Sequence, residues 1–180
     1  MKNTIFTILL CPVVLLCGCM STVPEKASLK TVDYVDLPRF MGDWYVIGTI
    51  PWFVEKNNVG TMDIYRMRPD GRIGITYAFH KKDLSAERKE MHAIGTVTDK
   101  QSNARWGVQF FWPFKAPYLV IDLADDYSTT IIGYPSRDLI WIMARTPTLP
   151  ESTYQSLLQK AANQGYDTTR IVKVPQKKGL

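Results

Sequence analysis

The chain is 180 residues long, 46% hydrophobic and 12% aromatic, with 22 Lys and Arg against 17 Asp and Glu. That length suits one ordinary domain, and the apolar content excludes a disordered chain, which is too polar to bury a core. Cys11, Cys17 and Cys19 are the only cysteines, so beyond them a disulfide framework, a thiolate metal site and a cysteine nucleophile are excluded.

Lys2 precedes an apolar stretch over 5–16, broken only by Thr7 and Pro12. The stretch is shorter than the about 20 residues a bilayer span requires, and reads as an export signal. It ends in Leu16-Cys17-Gly18-Cys19, which resembles a bacterial lipobox. That resemblance implies cleavage before Cys19 and lipidation of its thiol, each buried methylene adding about 0.8 kcal/mol of membrane anchoring. The expected organisation is a signal over 1–18, a lipidated tether over 19–36 and a folded domain over 37–180. Met20, not an Asp, follows the cysteine; by the sorting rule of such lipoproteins this favours the outer membrane, with the domain facing the periplasm.

From residue 42 to 145 the apolar pattern has period two. Ile73, Ile75, Tyr77 and Phe79 alternate with Gly74, Thr76, Ala78 and His80, and Trp106, Val108 and Phe110 alternate with Arg105, Gly107 and Gln109. Turn residues such as Pro69-Asp70-Gly71 separate the runs. The pattern predicts eight strands near 43–50, 60–67, 73–79, 89–98, 104–111, 118–123, 128–134 and 139–145. Short connections favour antiparallel neighbours, and closure into a barrel removes the exposed edges that a sandwich leaves. One helix follows: Pro150 and Glu151 open it, Tyr154, Leu157, Leu158 and Ala161 form its apolar stripe, and Gly165 ends it. It is expected against the outer wall, with a short final strand around 169–174.

Three segments carry a family resemblance: Gly42-Asp43-Trp44-Tyr45 at the first strand, Asp126-Tyr127 entering the seventh, and Arg145 closing the eighth. In this order, and followed by a helix, they make the chain similar to the bacterial outer-membrane lipoprotein lipocalins. The resemblance implies an all-β fold, an eight-stranded antiparallel up-and-down β-barrel with one C-terminal α-helix packed outside. Trp44 and Arg145 would close its floor, the guanidinium over the indole gaining about 0.5–2 kcal/mol. The family's register points Val46, Tyr65, Ile75, Tyr77, Ala93, Val97 and Trp106 inward as ligand-binding residues. Val108, Phe110, Tyr118, Val120, Ile131 and Trp141 join them. A barrel of this size either fills with its own side chains or holds one small ligand; small residues at Gly48, Ala93, Gly95 and Gly133, taken as inward, favour the open form.

The odd-numbered connections would form the mouth. Its rim carries Trp52, Phe53, Val54, Leu84, Trp112 and Phe114, with Lys56, Lys81, Lys82, Arg88, Lys115 and Arg137 against Glu55, Asp83, Glu87 and Asp138. Aromatics beside cations suit the boundary between a lipid's tail and its head group. The expected ligand is a lysophospholipid or long-chain fatty acid, bound for envelope lipid storage, transport or repair. The competing reading is a structural or partner-binding envelope lipoprotein with a filled barrel. Outward Tyr45 and Ile132 would either form a homodimer face or lie under the helix. No Gly-x-Ser-x-Gly elbow, phosphate loop or metalloprotease helix appears, so no enzyme, cofactor or metal is expected. His80 and His92 lack a third ligand, and export leaves no nucleic-acid partner.

Overall fold

The structure, a computed structural model, describes residues 28–177; the signal, Cys19 and the first part of the tether lie outside them. Eight strands form in the expected places: β1 Gly42–Ile50, β2 Asn58–Met67, β3 Ile73–Lys81, β4 Arg88–Val97, β5 Arg105–Gln109, β6 Ala116–Leu123, β7 Thr129–Gly133 and β8 Ile140–Ala144. Each pairs antiparallel with the next, and β1 pairs with both β2 and β8. The sheet is therefore closed, an up-and-down barrel with no free edge between its first and last strands.

Helix α2 (Glu151–Asn163) lies on the outer wall. Its Tyr154, Leu157 and Ala161 pack on Ile47, Ile131, Ile140 and Ile142, a cluster separate from the barrel interior. Burying a side chain such as Leu157 contributes about 1.5–3 kcal/mol, which explains why this amphipathic segment stays docked. After it, β9 (Val172–Lys173) pairs antiparallel with β1 at Gly48 and Thr49. A four-residue helix that the sequence pattern did not announce, α1 (Leu37–Phe40), precedes the barrel. Asp36 caps it by accepting from the Arg39 N–H (3.3 Å), and its Phe40 inserts fully buried beneath the barrel.

Two bulges correct the expected facing of Gly48, Ile131, Ile132 and Gly133. The ladder between β1 and β8 shifts between Val46 and Gly48. Beyond that shift Gly48 faces out, where a Cβ would meet the Tyr154 hydroxyl at 2.8 Å. On β7 the parity is set by cross-strand partners, since directly opposed residues share a face. Val120 opposes Ile132, and Asp122 opposes Ile131. Ile132 is thus inside, while Ile131, expected in the ligand cavity, packs outside with α2. Gly133 likewise faces out, beneath Tyr166 and Leu29. Ile132 therefore takes no part in any outer face, and Tyr45 packs against the outer cluster. Ala93 and Gly95 do point inward.

Candidate ligand-binding site

The closed end is built around Trp44. Arg145 lies 3.8 Å above its ring and donates to the backbone oxygens of Arg39 (2.8 Å), Met41 (2.9 Å), Asp43 (2.9 Å), Phe40 (3.1 Å) and Tyr127 (3.4 Å). One guanidinium thus ties α1, β1 and the β6–β7 turn together. Tyr127 adds a second tie, its hydroxyl accepting from the Asp36 N–H at 2.8 Å. Phe40 touches the rings of Trp44, Tyr65 and Trp106 with centroids 5.1, 5.6 and 5.5 Å away, and Trp106 stacks on Tyr118 at 4.7 Å. Ala93, Val97, Trp106 and Val120 belong to this packed floor. Aromatic side chains pack the closed end of the barrel.

Above the floor a cavity of about 220 Å³ opens. Of the residues expected to bind ligand, Tyr65, Ile75, Tyr77, Val108, Phe110, Tyr118 and Trp141 line it, with Trp52 from the rim. Val46 borders a separate recess of about 10 Å³ beside Thr49, Asn58 and Thr61. Tyr134, Leu139, Ala116 and Pro117 also line the cavity, contributed by segments that the sequence pattern placed at strand ends.

Two carboxyl groups, neither of them expected in the wall, stand there as well. Glu55, in the single turn Phe53–Glu55 after β1, accepts from the Trp52 N–H (2.8 Å) and the Trp141 indole N–H (3.1 Å). Asp63 on β2 accepts from the Tyr65 hydroxyl at 2.9 Å. With its one O–H donated to Asp63, the Tyr65 hydroxyl accepts from Tyr118 at 2.8 Å. Burial pushes Asp63 up to about 7 against the lowering effect of the Tyr65 bond, and the charge of Glu55 adds to the rise. Burial also raises Glu55, over the opposing bonds from Trp52 and Trp141. The phenols of Tyr65, Tyr118 and Tyr77 are held protonated by the same desolvation.

At the mouth, Phe53 (68% exposed), Trp112 (87%) and Phe114 (78%) project into solvent, joined by Phe111 (65%). Lys81 donates to the Val54 oxygen (3.3 Å) and sits over Phe79, while Lys82 and Lys115 are exposed. Arg137, expected among the rim cations, is buried and donates to the Gln164 oxygen at the end of α2 (2.6 Å). His80 and His92 stand apart, beside the Ala86 oxygen and the Thr76 hydroxyl respectively. Among the described residues no three His, Cys, Asp or Glu side chains gather as a metal set.

A closed eight-stranded barrel, solid at one end and open to an apolar cavity at the other, defines a class of small-ligand-binding proteins. Residues 35–176 match the Lipocalin-like domain family. Temperature-induced lipocalin-1 of Arabidopsis thaliana is 33% identical over 161 residues, 84% of this chain and 85% of its own. Outer membrane lipoprotein Blc of Citrobacter freundii is 30% identical over 162 residues, 90% of each chain. Insecticyanin from the tobacco hornworm Manduca sexta shares the fold with a TM-score of 0.65 at 14% identity, covering 83% of this chain and 89% of its own. The chain belongs to the lipocalin-like family, whose barrels bind small hydrophobic ligands and which are in general binding proteins rather than enzymes.

Proposed function

We propose that the protein is a membrane-anchored lipocalin that takes the acyl chain of a lysophospholipid or long-chain fatty acid for envelope lipid storage, transport or repair. The observation that carries this reading is an apolar cavity opening at an exposed aromatic rim with lysines beside it. At about 220 Å³ the cavity falls below the roughly 300–1,000 Å³ of most ligand pockets. A long chain is then partly enclosed, and its head group with the adjoining methylenes rests against Phe53, Trp112 and Phe114, near Lys81, Lys82 and Lys115. Anchoring through Cys19 in the outer membrane, with the barrel facing the periplasm, is supported by the Leu16-Cys17-Gly18-Cys19 segment and by the relatives named outer membrane lipoprotein.

Native mass spectrometry of the detergent-extracted lipoprotein tests the reading. One co-purifying or added lysophospholipid or fatty acid per chain is expected. A mass unchanged after lysophospholipid addition would leave the structural, partner-binding alternative standing.

A further inference from the structure

The polar groups on the largely apolar cavity wall are of one kind. Its lining includes two carboxyls and four phenols, from Glu55, Asp63, Tyr65, Tyr77, Tyr118 and Tyr134, and no Lys, Arg or His. The lysines stay at the rim, and Arg145 lies on the far side of the Trp44 floor. The hydrogen-bond chain has a direction: Tyr118 gives to Tyr65 and Tyr65 gives to Asp63 Oδ2. Among the described residues Tyr65 is the one partner of the Asp63 carboxyl, so Oδ1 stands as an acceptor.

A second acceptor, independent of the acids, stands toward the mouth, where Asn58 opens β2 opposite Lys81. Asn58 is buried, 7% exposed. Its amide N–H group donates to the Val54 oxygen (3.4 Å) and to the Tyr77 hydroxyl (3.1 Å). A backbone oxygen can only accept, so the amide orientation is fixed and Asn58 Oδ1 is left with no partner. Asn58 borders the 10 Å³ recess, which shares Glu55, Tyr77 and Trp141 with the main cavity and has room for one water-sized group. Unpaired buried acceptors cost free energy until a donor arrives.

We propose that the cavity is a site for hydrogen-bond donors, and that the barrel binds an alkylammonium with its charged end inward beside Asp63, which stands opposite Trp44. A carboxylate or phosphate at that position would face two acids with no compensating cation, so anionic amphiphiles bind only with the head at the rim. This rests on the cavity being the ligand pocket, and adds a ligand class and an orientation to it. The groups facing Asp63 are Glu55 from the turn after β1, Tyr65 on its own strand, Tyr77 on β3 and Tyr118 on β6. Of these groups Asp63 is raised to about 7 and Glu55 stands above its ordinary value, and the ionised form of Asp63 is the one that pairs with an ammonium.

The test uses hexylammonium, hexanol and hexanoate, matched in chain length, titrated calorimetrically into the lipidated protein in phospholipid nanodiscs with empty nanodiscs subtracted. At about pH 8 hexylammonium is expected to bind at least about tenfold more tightly than hexanoate, an advantage that shrinks about tenfold by about pH 5.5 as Asp63 protonates. Its binding near neutrality should release protons, read from buffers of different ionisation enthalpy, and Asp63→Asn should abolish both the preference and the release. Equal affinities for hexylammonium and hexanoate at the higher pH would overturn the proposal, and so would a preference unaltered in Asp63→Asn. Should that variant fold poorly, the wild-type pH series decides alone. If hexanol binds and hexylammonium does not exceed it, the donor site falls while the lipid pocket stands. If none of the three binds, the pocket falls with it.

Discussion

Asp63 and Arg145 are two ionisable side chains that the barrel places against its aromatic interior, and each has a measurable consequence. A carboxyl whose folded pKa stands at about 7 holds its proton more tightly than in the unfolded chain, where it titrates near 4. Between those values the folded state binds more protons, so stability falls as pH rises through the window and the penalty is complete above it. Its size is on the order of 4 kcal/mol. Asp63→Asn, which keeps an acceptor for Tyr65, should therefore raise the melting temperature by several degrees at about pH 8 and leave it unchanged near pH 4; thermal melts at the two pH values check this. At the floor, Arg145 serves five backbone oxygens from one planar fork. Arg145→Lys keeps the charge but cannot reach that set, and should cost about 2–3 kcal/mol in denaturant unfolding. The Trp44–Arg145 pair was legible as residues in the sequence. The number of its partners was not, because Arg39, Phe40 and Met41 come from a short helix and its cap, with no periodicity to read.

Among the elements, strands and α2 were predictable because period two and the Tyr154–Leu157–Ala161 stripe are local signals. The facing of two strands was not. Alternation specifies two faces but not which one the core takes beyond a bulge, and the shifts at Val46/Gly48 and Val120/Asp122 are written in pairing partners far along the chain. Gly48 shows the difference: a small residue read as cavity space is instead the seat of Tyr154. Gly48→Ala should push the Tyr154 ring off β1, costing about 1–3 kcal/mol and loosening α2, whereas the ligand cavity, which Gly48 does not line, keeps its affinity. Hydrogen exchange across α2 and a lipid titration on the same variant separate the two effects. Asp63 was legible in principle, since it lies two residues from inward Tyr65 on a strand of period two; an acid is expected outside, and that expectation hid it.

For the whole molecule, closure sets two ends with different chemistry. Phe40, Trp44, Trp106 and Tyr118 fill one, and the other opens among Phe53, Phe111, Trp112 and Phe114. The proposed head-group role of the rim predicts that Lys81→Gln, Lys82→Gln and Lys115→Gln combined weaken charged lysophospholipid binding about three- to tenfold while neutral acyl esters change little. Equal losses for both ligand types, by fluorescence titration, would remove that role. Seven of the thirteen residues expected to meet a ligand line the cavity; the others packed the floor, bordered the recess or, in the case of Ile131, turned outward.

By itself the sequence determined the strand count, the antiparallel order, the outer helix and the family, because each rests on short-range periodicity or on a few residues in fixed order. Only the tertiary structure decided how deep the barrel is filled, which glycines serve the helix, and that carboxyls look into the cavity. Those depend on side-chain volumes meeting across strands, and on bulges that reverse a face by a single residue.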